Sequence, residues 1–191
     1  MKNIGILIFN RAEELDFIGP LEVFGMTAKL RPNSLQPFTV QQEGKEVKAV
    51  NGLRVIPDYS FQNCPKLDII LIPGGIGSRT EMKNSQTLNF VKRAAESCDL
   101  LLSVCTGALI LAAAGILDGK KATTHLEALN ELKAFPKVTV DHQRYIRDGK
   151  VITSAGVSAG IDMALYVIKE LYGSTLCTDV ARRMEYVART E

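Results

Sequence analysis

Cys105 is the side chain with the most chemical scope in this sequence. It follows the apolar run Leu100–Val104 and precedes Thr106-Gly107-Ala108, after which a small-residue apolar pattern continues to Leu117. A buried strand that passes directly into a buried helix must turn sharply between them. In an α/β sheet such corners lie at the carboxyl ends of the strands, where sites form. A residue on the corner has its side chain exposed and its neighbours small, as in a nucleophile elbow. A thiol there also sits at a helix N-terminus, which favours thiolate. One reading of Cys105 is therefore a reactive nucleophile; the other is an inert core residue, since free cysteine is among the most buried residue types. The junction, the small residues after it and a glycine-rich turn, Pro73-Gly74-Gly75-Ile76-Gly77, favour the nucleophile. Backbone N–H groups in such a turn can face a developing negative charge. The turn lacks G-x-G-x-x-G spacing and a Walker-type lysine, which argues against a nucleotide.

Asp16 also has two readings: a helix cap, or a carboxyl group on the same sheet edge as the elbow that shares a proton with the thiol. Thr106 is either a small helix-start residue or a hydroxyl near the reacting group. His125 and His142 are each a candidate base for a Cys–His pair or a surface histidine, and the polar run Asp141–Arg144 favours the latter for His142. Cys64, Cys98 and Cys177 lack the context of Cys105, and no pair of cysteines has metal-ligand or redox spacing. The expectations are no metal, no cofactor, and reduced thiols in a cytoplasmic protein. Arg182-Arg183-Met184-Glu185 reads as a solvated helix face.

The elements that must position these residues are legible in outline. The 191 residues suit one domain, 1–191. Hydrophobic residues make up 46%, and the net charge of +2 comes from scattered basic residues rather than a patch. That gives no reason to expect nucleic acid or an anionic membrane as partner. Ile4–Phe9 is too short for a signal sequence, and Gly107–Leu117 too short to span a bilayer.

Buried strands are expected at Lys2–Phe9, Gln36–Gln42, Leu67–Ile72 and Leu100–Val104, with short ones at Ala122–Thr124 and Val138–Val140. Hairpins are expected around Asn51-Gly52 and Asp148-Gly149. The predicted helices are Leu15–Leu30, Ser85–Ser97, Gly107–Leu117, His125–Leu132, Ile161–Leu171 and Thr175 to about Val187. The first is expected to start near Asp16, so that Pro20 falls in its first turn, and to bury Leu21, Phe24, Gly25 and Ala28. This alternation implies an α/β fold, a mostly parallel sheet covered by helices on both faces.

The run VCTGALILAAAGILDGKKATTH, the D-x-x-G-P-x-E-V-F pattern at Asp16–Phe24, PGG at Pro73–Gly75 and DGKVITSAGVSAGIDMAL at Asp148–Leu165 together resemble the ThiJ/PfpI superfamily, and within it the isonitrile hydratase-like branch. The resemblance covers nearly the whole chain. It implies a flavodoxin-like αβα sandwich, related to class I glutamine amidotransferases and usually homodimeric, with Cys105 at the nucleophile elbow. It further implies that Asp16 hydrogen-bonds the cysteine and that Thr106 matches the threonine following it. Gly75 and Ile76 fall in the turn whose N–H groups face the thiol, and Gly156 and Val157 in a loop beside the site. The peptidase-like branch has histidine directly after the nucleophile; Thr106 stands there instead. The AraC-type regulator branch carries a helix-turn-helix domain, for which a sequence ending at Glu191 leaves no room.

The activity implied is cofactor-free hydration of an isonitrile to an N-substituted formamide, a small electrophile being the only partner besides a second subunit. Two further readings are a glyoxalase- or deglycase-like or redox stress role for the same cysteine, and a non-enzymatic regulatory domain.

Overall fold

The computed structural model describes residues 1–187. Its centre is a seven-stranded sheet. Strand β1 (Lys2–Leu7) lies between β2 (Leu35–Gln41) and β6 (Ile69–Ile72). Outside β6 follow β7 (Leu100–Val104), β11 (Val151–Ser154) and the edge strand β10 (Tyr145–Asp148); β5 (Tyr59–Ser60) closes the other edge. Every neighbouring pair is parallel except β10–β11, a hairpin turned by Gly149 at φ +63°. The central strands are continuous apolar runs because both faces are covered. Ile4 pairs with Ile69, Leu71 with Leu102, and Leu102 with Ile152, all buried.

The helices form two outer layers. Helices α1 (Glu14–Leu30), α6 (Ala159–Tyr172) and α7 (Ser174–Arg183) pack on one another over one face. Helices α2 (Ser78–Glu81), α3 (Ser85–Ser97), α4 (Gly107–Ala113) and α5 (Leu129–Lys133) form the other layer. This is the flavodoxin-like sandwich the resemblance implied. Two small pairs sit apart from the main sheet. The antiparallel hairpin β3 (Val47–Lys48) and β4 (Arg54–Val55) flanks Asn51-Gly52, and β8 (Lys121–Ala122) runs parallel to β9 (Thr139–Val140).

Several element boundaries differ from those the sequence suggested. Helix α1 starts at Glu14, two residues before Asp16, so Pro20 lies inside it rather than in its first turn. The ring removes the N–H that would reach the carbonyl of Asp16. The buried face of α1 is Asp16, Phe17, Gly19, Pro20, Val23, Phe24 and Thr27; Leu21, Gly25 and Ala28 are only half-buried. Helix α4 stops at Ala113 because Gly115 turns left-handed at φ +75°. The segment after His125 begins as a 3-10 turn, Leu126–Ala128, before α5. Helix α7 ends at Arg183, with Glu185 at φ +51°. The short elements β5 and α2 had no apolar run to announce them.

The chain leaves β1 toward β2, then recrosses to build β6, β7 and β11 on the other side. The reversal opens a crevice at the carboxyl ends of β1 and β6, the position where ligands bind in open α/β sheets. The loops entering α1, α2 and α4 meet there.

Candidate active site

Strand β7 ends at Val104, and Cys105 takes φ +54°, a left-handed conformation unusual for a residue with a side chain. Such strain persists only where the surroundings over-determine it, and here both peptide groups are held. The Cys105 N–H donates to the carbonyls of Ser154 and Ala155 at 3.2 and 3.1 Å. The buried Thr124 hydroxyl donates to the Cys105 carbonyl at 2.8 Å. Thr124 was not singled out in the sequence; its place beside the elbow depends on the chain returning from β8.

The glycine-rich turn after β6 closes on the elbow. A Cβ on Gly74 would lie 2.4 Å from the Thr106 nitrogen and 2.9 Å from Cys105 Cβ, so only glycine permits this approach. The Gly75 N–H donates to Thr106 Oγ1 at 3.0 Å, and Thr106 Oγ1 lies 3.1 Å from the Gly75 carbonyl. Ser78 Oγ is 2.9 Å from Thr106 Oγ1 and 2.8 Å from that same carbonyl. Thr106 thus ties the turn, the elbow and the start of α2 into one network.

Asp16 enters from the first turn of α1. It does not cap that helix: the N-cap residue is Glu13, which makes no side-chain cap and instead donates its N–H to the Gly74 carbonyl at 3.0 Å. The Asp16 side chain is fully buried. The Gly74 N–H donates to Oδ2 at 2.9 Å across the switch point of the sheet. Oδ1 is buried and makes no hydrogen bond of regular geometry, although the Cys105 thiol and the Val157 N–H lie near the carboxyl group. A buried carboxylate with an oxygen so poorly satisfied prefers to carry a proton. Burial, aided by the nearby Glu13 carboxylate, pushes Asp16 up to about 7. The Gly74 N–H, the Cys105 thiol and the Val157 N–H draw it back only in part.

The thiol behaves differently from the sequence-based expectation. Burial and the Asp16 charge push Cys105 up to about 12, against the pull of the Thr106 N–H and hydroxyl and the Gly75 N–H. The residue is only 6% exposed. A helix of seven residues does not offset that desolvation. The resting pair is therefore a protonated thiol beside a carboxyl group that titrates near neutrality.

Cys105 opens onto a cleft of about 230 Å³, whose lining includes Gly75, Ile76, Thr106, His125 and Val157, with Asp16 buried behind it. Glu13, Arg79 and Glu127 complete its lining. Val157, β-branched, sits at φ +50° in the loop leading to α6. Gly156 is where the His125 ring packs: a Cβ there would lie 2.1 Å from His125 Cδ2. His125 Nδ1 accepts the Glu127 N–H at 3.2 Å, which fixes the ring at the cleft wall. His142 is exposed and does not line the cleft. Cys64, Cys98 and Cys177 lie outside it, and burial raises the pKa of each. Glu13, Arg79, Glu127 and Ser78 were invisible to motif reading, because they converge from separate loops and short helices.

Among the described residues no group of His, Cys, Asp and Glu is arranged to hold a metal ion, and no helix is long and apolar enough to cross a membrane. A small cleft with one thiol, one proton-carrying carboxyl group and convergent N–H donors suits covalent chemistry on a small electrophile.

The chain is similar to known proteins over most of its length. The chain is 37% identical to isonitrile hydratase of Pseudomonas putida over 183 residues, 96% of this chain and 78% of that protein. It is 29% identical to the HTH-type transcriptional regulator GbdR of Pseudomonas aeruginosa, covering 97% of this chain and about half, 51%, of the regulator. A ThiJ/PfpI family protein from Pseudomonas syringae superposes with a TM-score of 0.90 at 30% identity, over 99% of this chain and 76% of that one. The DJ-1/PfpI family model matches residues 2–170, and the chain belongs to that family.

Proposed function

We propose that this protein hydrates isonitriles to N-substituted formamides, with Cys105 as nucleophile and Asp16 as the group that moves the protons. The observation that carries the reading is the pair itself: a buried carboxyl group with one oxygen outside any regular hydrogen bond, pushed up to about 7, beside a thiol at an elbow. The 37% identity to isonitrile hydratase supports the substrate class.

The reaction starts from the pair holding one proton. With Asp16 ionised, its charge keeps that proton on sulfur. When the proton passes to Asp16 the repulsion disappears, and the Thr106 N–H and hydroxyl and the Gly75 N–H favour the thiolate. The thiolate attacks the terminal carbon of R–N≡C and forms an S–C bond. Asp16 delivers its proton to that carbon, giving the thioimidate Cys–S–CH=N–R. The Asp16 carboxylate then takes a proton from water as the water oxygen attacks the same carbon, and passes that proton to the nitrogen, so that the adduct is Cys–S–CH(OH)–NH–R and its hydroxyl proton is the one left to return. Collapse of the tetrahedral adduct expels sulfur, releases HC(O)–NH–R and returns the shared proton to the pair. Net consumption is one isonitrile and one water. The N–H donors serve sulfur as thiolate and as leaving group, where fixed dipoles in a buried site act most strongly. Thr106 holds the turn that carries Gly75, and Gly156 leaves room for the His125 ring that walls the cleft with Ile76 and Val157.

We take the working unit to be a cytoplasmic homodimer, as the resemblance implies; the four cysteines are unpaired in the structure, in keeping with a reducing compartment. The test is formamide production from an isonitrile by the purified protein, lost in Cys105→Ala. A regulatory reading is favoured by the likeness to GbdR across 97% of the chain. It gains ground if the protein turns over neither isonitriles nor α-oxoaldehydes but binds a DNA-binding partner stably.

A further inference from the structure

We propose that the cleft selects electrophiles by charge, admitting cationic and neutral molecules and disfavouring anionic ones, with Glu13 and Glu127 as the specificity-determining residues. This rests on Cys105 being the reactive group of the cleft, but not on the isonitrile. Gly75, Ile76, Thr106 and Val157, which line the cleft with the thiol, carry no charge. Apart from Asp16, buried behind the thiol, the charged residues are Glu13, Glu127 and Arg79 of the cleft lining.

The three do not cancel. Arg79 is already matched: its Nε and Nη2 donate to the two carboxylate oxygens of Glu131 at 3.1 and 2.5 Å, a bidentate pair. Glu13 and Glu127 form no ion pair among the described residues. Their backbone N–H groups are used, by the Gly74 carbonyl and by His125 Nδ1, which anchors the main chain at both residues. An incoming molecule therefore shares the cleft with two negative charges that no ion pair compensates. An ammonium-bearing substrate gains from them; a carboxylate-bearing one is repelled, and the repulsion is screened by salt.

The test uses three methanethiosulfonates of similar size: one with a trimethylammonium group, one with a sulfonate and one neutral. With each, Cys105 Sγ bonds to the reagent's sulfenyl sulfur, methanesulfinate leaves and the thiol proton is released. Peptide mass mapping separates Cys105 from Cys64, Cys98 and Cys177. At low ionic strength the cationic reagent is expected to modify Cys105 about tenfold or more faster than the anionic one, each rate being taken relative to the same reagent on a free thiol. The preference should shrink several-fold in high salt and fall several-fold in Glu13→Gln/Glu127→Gln, leaving only the share owed to Asp16. Arg79→Gln, which leaves Glu131 unmatched, should widen it. Equal normalised rates for the two charged reagents, or an unchanged preference in the double variant, overturn the proposal while leaving Cys105 as nucleophile. Failure of all three reagents at Cys105 overturns the nucleophile itself, and the selectivity with it.

Discussion

Replacing Asp16 by Asn should stabilise the protein in alkaline solution relative to acid while removing its activity. In the native state the carboxyl group is held near 7, against an ordinary value of 3.8. A raised carboxyl pKa means that the folded form holds a proton the unfolded form has released. The stability linked to this group is therefore fully present below about pH 4 and is lost as pH rises through about 7. A separation of about three pH units corresponds to about 4 kcal/mol over the full range. Between pH 5 and pH 8 the share lost is about 2 to 3 kcal/mol. Asn cannot ionise and can still accept the Gly74 N–H that now reaches Oδ2 at 2.9 Å. Urea denaturation of both proteins at pH 5 and pH 8 measures the effect. The difference in unfolding free energy should move in favour of Asp16→Asn by about 2 to 3 kcal/mol on going to pH 8. Parallel curves for the two proteins would show that the carboxyl group is not held protonated by burial, and the proton-carrying role derived from it would fall.

Further outcomes follow from the same geometry. Hydration by the native protein should rise as pH increases through about 7, because below that the pair carries two protons and no base remains to take the one on sulfur; a rate flat from pH 5 to 9 would contradict this. Thr106→Val deletes a hydroxyl bonded to Gly75 and Ser78, and should lower kcat at least tenfold and destabilise by about 1 to 3 kcal/mol; thermal melting and initial rates test both. Gly74→Ala drives a methyl group to 2.4 Å from the Thr106 nitrogen and should cost more than about 2 kcal/mol of stability along with the activity. Cys105→Gly should relieve the left-handed backbone at φ +54° and raise stability by up to about 1 kcal/mol in an inactive protein.

The framework was readable because the central strands are unbroken apolar runs such as Ile69–Ile72, which only a sheet covered on both faces accommodates. The elbow was readable for a local reason: strand, thiol and small-residue helix follow one another without a gap. The face of α1 was not. Its apolar residues surround the helix almost evenly, so periodicity could not show that Asp16 and Pro20 are turned inward while Leu15 and Ile18 are partly exposed. Nor could any spacing reveal that Asp16 meets Gly74 fifty-eight positions away, since their contact depends on the chain reversing direction between β1 and β6. The thiol's acidity was not legible, because the desolvation that outweighs a helix N-terminus exists only in the packed structure.

Formamide production from a simple isonitrile, followed by NMR for the native protein and Cys105→Ala side by side, tests the central claim most directly. The native protein should convert the isonitrile stoichiometrically to the N-substituted formamide with no added metal or cofactor, and Cys105→Ala, folded by circular dichroism, should convert none above background. Undiminished hydration by Cys105→Ala, or none by the native protein, would contradict it.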